Sequence, residues 1–113
     1  MVKNIMDVIK MNKKELYESL VEKKIEKITN CIIDNNVNYE ETWSADGGGY
    51  TWNYDVILMG NDKMRETVIN QLRQIDDICV CTEDDYDLGD KETYDGEEEI
   101  YIYIDMAMAM NNL

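Results

Sequence analysis

The sequence has no histidine and no proline, and only three of its 113 residues are cysteines. Histidine is the commonest general base near neutral pH, so its absence excludes a His-dependent catalytic triad and a His-ligated metal site. No serine or cysteine stands in an activated arrangement, and no glycine-rich phosphate loop is present. We therefore predict a protein that is not an enzyme and that binds no cofactor and no metal. A nuclease built from metal-binding aspartates is the catalytic alternative that these absences leave open.

Long apolar runs are also missing. No run approaches the ~20 residues that a membrane-spanning helix requires. The first residues are interrupted by Lys3, Asp7 and Lys10, unlike a signal peptide, and we expect residues 1–11 to form a flexible leader or a short amphipathic turn. Three cysteines do not make a disulfide framework, which fits a reducing cytosol. We expect a soluble, cytoplasmic protein that folds as one domain, residues 1–113.

The net charge of −14 is unevenly distributed along the chain. Residues 1–33 contain seven lysines and five acids, whereas residues 34–113 contain four basic residues and twenty acids. Such a charge repels free nucleic acid and membrane surfaces, and it speeds association with a basic partner in a salt-dependent way. We expect direct contact with nucleic acid only through the lysine-rich first helix.

The clearest strand pattern lies near the C-terminus, where every second residue from Ile100 to Met110 is isoleucine or methionine. This is the period of a strand with one buried face. Residues 100–104 are β-branched or aromatic and favour a strand, whereas methionine and alanine in residues 106–110 suit a helix equally well. We predict a central strand over residues 98–107 and leave the conformation of the last residues open.

Four further segments complete the predicted fold. Asn12 and Glu15 resemble a capping box that begins an amphipathic helix over residues 13–33. A β-hairpin follows over residues 37–59, then a second helix capped by residues 60–62, then a short strand over residues 78–82. The order α-β-β-α-β-β predicts an α+β fold, a two-layer sandwich in which two helices cover one face of a four-stranded antiparallel sheet.

The hairpin pattern also predicts a register. A two-residue turn centred on Gly47-Gly48 places Trp43 opposite Trp52 and Glu40 opposite Asp55. Like charges that face each other directly destabilise a strand pair, so the face that carries Glu40 and Asp55 must be well solvated or must bind cations.

Two other features have structural interpretations. Lys24 falls within the apolar stripe of the first helix, where we expect its methylenes to cover the core and its ammonium to reach water. Cys79 and Cys81 lie on one face of a strand, and with Cys31 they are three cysteines where a zinc site needs four ligands. We interpret all three as small buried hydrophobic residues.

The most acidic part of the chain is residues 76–99, with twelve acids and one base. An EF-hand calcium loop does not fit. If Asp85 and Asp87 are its first and third positions, Gly89 occupies the fifth, which requires a ligand, and Asp90 the sixth, which requires a glycine. The segment is either a solvated loop or an anionic recognition surface. For the second case we predict a partner-binding set made of Asp84, Asp85, Asp87, Asp90, Glu92, Asp95, Glu97, Glu98 and Glu99, with Tyr86 and Tyr94 as aromatic anchors and Glu40 and Asp55 on the hairpin.

One short domain, strong acidity over residues 84–99, abundant lysine, asparagine and isoleucine, and no catalytic motif together resemble anti-CRISPR proteins of phages and mobile genetic elements, notably inhibitors of Cas9. The resemblance implies a nucleic-acid mimic in the bacterial cytoplasm that inhibits a CRISPR effector nuclease through protein–protein interaction. It implies two routes, blocking of the DNA-binding surface or interference with guide-RNA loading. It carries no residue roles, because these proteins share no common motif.

Two alternatives stand beside this interpretation. The first is an immunity protein or antitoxin that neutralises a basic nuclease toxin. The second is a non-catalytic assembly protein of a phage or mobile element, in which the lysine-rich helix of one copy meets the acidic loop of another. A homodimer is a further candidate assembly.

Overall fold

The computed structural model describes residues 12–83 and 96–112. The elements follow the order α1 (Lys13–Asp34), β1 (Asn38–Asp46), β2 (Thr51–Met59), α2 (Asp62–Leu72), β3 (Ile78–Thr82), β4 (Glu97–Asp105) and α3 (Met106–Asn111). The α+β class and the predicted element order are confirmed, and α3 is an additional helix at the C-terminal end. No helix among the described residues is long and apolar enough to cross a membrane.

The four strands form one antiparallel sheet in the order β1-β2-β4-β3. As predicted, the C-terminal strand is central, and the side chains of Ile100, Ile102 and Ile104 are fully buried. They share a core with apolar residues of β2 and of all three helices, among them Ile28 of α1 and Leu72 of α2. We call the sheet face that carries these isoleucines the inner face, and the opposite one the outer face.

Both long helices begin at the predicted asparagine caps. The Asn12 side chain accepts a hydrogen bond of 2.8 Å from the Glu15 backbone, as an N-cap does, and donates one of 3.2 Å to the Glu15 carboxylate. Asn61 accepts a hydrogen bond of 2.9 Å from the Met64 backbone in the same way. These bonds satisfy N–H groups that have no partner within a helix, so the helix starts are determined locally.

The chain changes from strand to helix at Asp105. The Asp105 side chain accepts a hydrogen bond of 3.0 Å from the Met108 backbone, which is the geometry of a helix N-cap. The predicted strand over residues 98–107 therefore starts one residue late and runs two residues too far. Methionine and alanine favour a helix once a cap is available, and Met106 and Ala109 then bury their side chains against the core.

The β1–β2 hairpin has a longer loop than predicted. Gly48 and Gly49 have φ of 89° and 86°, values that glycine tolerates best, so the prediction of turn glycines is confirmed. The Asp46 carboxylate accepts hydrogen bonds from the Gly49 backbone at 2.8 Å and from the Tyr17 hydroxyl at 2.9 Å. Asp46 therefore holds the turn and also attaches α1 to it.

The predicted hairpin register is wrong. Trp43 lies opposite Asp55 because the turn is longer than two residues, and a β-bulge between Glu41 and Trp43 then places Glu40 opposite Ile57. Because a bulge inserts one extra residue, the side chains beyond it change faces. Trp52 does not meet Trp43. Its indole donates to the Ser44 hydroxyl at 3.0 Å, and its ring lies 6.3 Å from that of Tyr17.

Lys24 does not extend its ammonium to water as predicted. Its Nζ donates to the Asp76 carbonyl oxygen at 2.7 Å and lies 3.6 Å from the Asp77 carboxylate, and its side chain is only 12% exposed. The cause is a tertiary contact, because the turn before β3 passes over this position of α1. Lys24 thus connects the helical layer to the sheet.

The prediction of three buried cysteines is also wrong. Cys79 is exposed, and Cys31 and Cys81 are half-buried. Cys79 and Cys81 do share one strand face, but it is the outer face, whereas Val80 between them points to the core. Among residues 12–83 and 96–112, no group of three or more Cys, Asp or Glu side chains is arranged to hold a metal ion.

Candidate interaction surface

The outer face brings aromatic rings and carboxylates into one cross-strand row. The Cα register aligns Trp43 of β1, Asp55 of β2, Tyr101 of β4 and Cys81 of β3. Side chains directly opposite each other in neighbouring strands lie roughly 5 Å apart at Cβ, so the members of this row are neighbours on the surface. Trp43 is 56% exposed, whereas Asp55, Tyr101 and Cys81 are half-buried.

A second row runs beside the first. It contains Glu40, Ile57 and Glu99, because Ile57 lies opposite both glutamates in the register. Asp55 and Glu99 are therefore diagonal neighbours on adjacent strands. Five of these residues supply two carboxylates, an apolar side chain and two aromatic rings. We call them the Asp55–Glu99 patch: Trp43, Asp55, Ile57, Glu99 and Tyr101.

The two carboxylates of the patch influence each other. Partial burial and the charge of Glu99 raise the pKa of Asp55 to about 6, although the Ile102 backbone offsets part of this by hydrogen bonding to the carboxylate. Burial, a hydrogen bond to Glu99 and the surrounding carboxylates raise the pKa of Tyr101 to about 12. Tyr101 therefore stays protonated and donates to Glu99, while Asp55 carries most of a negative charge above neutral pH.

Glu83 supports the patch from the end of β3. It is buried, and its Oε1 accepts a hydrogen bond of 3.2 Å from the Glu99 backbone. Sequence reasoning assigned Glu83 to the acidic loop and missed this role. The sequence did contain a signal for it. Glu83 is two residues after Cys81, so a continuation of the alternation in β3 places both side chains on the outer face.

Charge is segregated between the two layers of the fold. The four strands contain eight acids and no lysine or arginine. The ion pairs of Lys24 with Asp77 and of Arg65 with Asp62 lie outside the strands. Within residues 12–83 and 96–112, no basic side chain pairs with Asp55 or Glu99. These carboxylates are therefore available to a cation from another molecule.

The chain matches no protein family, no curated protein and no solved structure.

The structure brings only part of the predicted partner-binding set together. Asp55 and Glu99 meet in the patch, and Glu97 lies on the same face farther along β4. Glu98 was predicted to act with them but lies on the inner face, opposite Leu58. Glu40 is not opposite Asp55, because the longer turn shifts the register and Glu40 lies opposite Ile57.

The remaining predicted residues lie outside the described part of the chain. They are Asp84, Asp85, Tyr86, Asp87, Asp90, Glu92, Tyr94 and Asp95.

A cavity lies at the end of the sheet opposite to Glu83, where β2 begins and β4 ends. This cavity of about 400 Å³ is lined by Tyr50, Cys79 and Tyr103, together with the carboxylates Asp77 and Asp105. Both carboxylates already have structural partners, since Asp77 pairs with Lys24 and Asp105 caps α3. The Asp55–Glu99 patch is the better candidate for binding a charged partner.

Proposed function

We propose that the protein is a non-catalytic inhibitor that binds a basic surface of a nucleic-acid-handling enzyme. The observation that carries the proposal is the segregation of charge, with eight acids and no base in the strands. A basic groove that accepts nucleic acid presents lysine and arginine where phosphates bind, and carboxylates on a rigid sheet can take the place of those phosphates.

The outer face also supplies the apolar contacts that a specific interface needs. Trp43, Tyr101 and Tyr103 lie on the same face as the carboxylates, and aromatic residues commonly contribute most of the binding energy at an interface. Charge at the rim then increases the association rate, and the aromatic residues slow dissociation.

The favoured target class is a CRISPR effector nuclease such as Cas9, on the resemblance in composition described above. Blocking of the DNA-binding surface fits the anionic sheet better than the second route does. Interference with guide loading through RNA contact requires a basic helix, but α1 holds five lysines and five acids and is therefore neutral.

The test compares two double variants of equal charge for binding to purified Cas9 at pH 7.5. Asp55→Asn with Glu99→Gln neutralises the patch, and Glu18→Gln with Glu22→Gln neutralises two exposed acids of α1. We expect the patch variant to associate about tenfold more slowly at low salt, and the helix variant to behave like the wild type. Increasing salt should reduce the difference.

Two results would count against the proposal. If Cas9, with or without its guide RNA, neither binds the wild-type protein nor loses DNA cleavage in its presence, the target class is wrong. If binding occurs but the two double variants associate equally fast, the outer face is not the contact surface.

A further inference from the structure

The two edges of the sheet differ in how they are closed. β3 is five residues long, and the Arg73 guanidinium donates to the Val80 carbonyl oxygen at 3.3 Å. β1 is nine residues long, and in the described part of the chain its backbone pairs with β2 only. The unpaired N–H and C=O groups along the far side of β1 are an available template for another strand.

Apart from Asp46, which bonds to Tyr17 of α1, most of β1 is open to solvent. Seven of its nine residues are exposed, including Glu41, although Glu41 lies on the inner face opposite Val56. Trp43 is among the most exposed large hydrophobic residues of the described chain. An approaching segment therefore finds the edge and both faces of β1 accessible.

The charges of β1 decide which kind of strand can pair with it. Natural edge strands are commonly protected by lysine or by a bulge, and β1 has the bulge but carries three acids and no lysine. Pairing of two copies through β1 would place six carboxylates and no cation in one strand pair. Like charges across a strand pair are destabilising, so the acids disfavour a second copy and favour a basic strand.

We propose that β1 is a docking edge for an extended, lysine- or arginine-rich segment of the target protein, which joins the sheet as a fifth strand. Backbone hydrogen bonds to β1 supply affinity, and basic side chains of the segment meet Glu40 and the neighbouring acids. The bulge between Glu41 and Trp43 divides the edge into two regular stretches, so the segment pairs on either side of the bulge. The basic character of the partner rests on the proposed function, whereas the mode of docking rests on the free edge.

The test uses two peptides of equal charge, each as long as β1, in which lysine and valine alternate. The first has a normal backbone. In the second, alternate amides are N-methylated on the side that must face β1, so the peptide keeps its charge but cannot pair as a strand. We expect the normal peptide to bind about tenfold more tightly at low salt, and to slow amide hydrogen exchange in residues 38–46 by a similar factor.

A variant pair checks the contribution of charge. Glu40→Lys reverses an exposed charge of β1, and Glu18→Lys reverses an exposed charge of α1 with the same change in net charge. We expect the first substitution to weaken binding of the normal peptide several-fold more than the second. Equal effects would show that only the net charge of the protein attracts the peptide.

The outcomes separate the two proposals. Equal binding of the normal and N-methylated peptides, with unchanged exchange in residues 38–46, would overturn the docking edge and leave the anionic inhibitor intact. If neither peptide binds at low salt, both proposals fail. Slowed exchange confined to residues 38–46 with the normal peptide alone supports the docking edge.

Discussion

The helical layer and the sheet layer of this fold use charge in opposite ways. In α1, lysines and acids are present in equal number, and Lys24 forms an ion pair that joins the two layers. In the strands, every charged residue is an acid, and Asp55 and Glu99 lie close enough for the charge of Glu99 to raise the pKa of Asp55.

This difference separates charge that serves folding from charge that does not. Lys24 replaces lost hydration with a hydrogen bond and an ion pair, so its burial is compensated. Asp55 has a neighbouring acid instead of a cation, so its ionisation opposes folding. Ionisable groups whose charged form is destabilised in the folded state are concentrated at functional sites, and for this reason we place the interaction surface on the sheet.

The largest expected effect comes from placing a charge between the layers. Ile102 is fully buried on the inner face of β4, and Ile102→Asp should lower the free energy of unfolding by at least ~4 kcal/mol, enough to unfold a domain of this size. Thermal and urea unfolding followed by circular dichroism measure this. The matched control is Tyr103→Thr, the next residue on the outer face, which should remain folded. Normal stability of Ile102→Asp would show that the inner face is not the core.

A smaller loss is expected where the layers are joined by charge. Lys24→Met keeps the methylenes but removes the bond to Asp76 and leaves the half-buried Asp77 carboxylate without its cation. We expect a loss of ~1–2 kcal/mol in urea unfolding. Lys23→Met, at an exposed position of the same helix, should change stability by less than ~0.5 kcal/mol. If the two substitutions change stability equally, the contact of Lys24 does not stabilise the packing of the two layers.

Removing a charge from the sheet layer should increase stability, whereas removing the Lys24 charge decreases it. Because the folded-state pKa of Asp55 is about 6 and the unfolded value is near 4, the unfolded chain ionises first as pH rises. Stability should therefore decrease between about pH 4 and pH 6 in the wild type, by ~1 kcal/mol after allowance for solvent screening. Asp55→Asn should be more stable than the wild type by this amount at pH 7, and equally stable near pH 4. Urea unfolding across this pH range tests the sign, and a less stable variant at pH 7 would contradict it.

The smallest stability effect is expected at Trp43. More than half of this side chain is exposed, so Trp43→Ala should change the free energy of unfolding by less than ~0.5 kcal/mol while weakening partner binding. Trp52→Ala is the informative comparison, because Trp52 packs against the core and contacts Tyr17. It should destabilise the fold by several times as much. If Trp43→Ala proves the more destabilising, Trp43 belongs to the core and not to the interaction surface.

Local signals were sufficient for most of the architecture. Asn12, Asn61 and the apolar alternation of residues 100–104 identify elements through interactions within a few residues, and these elements formed as predicted. The end of β4 was ambiguous because Asp105 suits an N-cap as well as a strand end. The decision depended on the burial of Met106, which no local pattern reveals.

The register and the patch could not be predicted because they depend on contacts across the fold. Nothing in Thr42 or its neighbours distinguishes a bulge from regular strand, yet the bulge places Trp43 on the opposite face from Glu41. The longer turn separates Glu40 from Asp55. Lys24 finds its acceptor 52 residues away in the chain, at a distance where periodicity carries no information. The Asp55–Glu99 pair likewise required knowledge of which strands are neighbours.

The double role of Asp46 has a consequence for the order of events during folding. Its bond to Gly49 spans three residues, whereas its bond to Tyr17 spans 29. Short loops close faster than long ones, so the turn should form first and present an oriented carboxylate on which α1 then docks. Replacing Asp46 with alanine should therefore slow refolding as well as speed unfolding. A refolding rate equal to that of the wild type would show that the helix docks without the preformed turn.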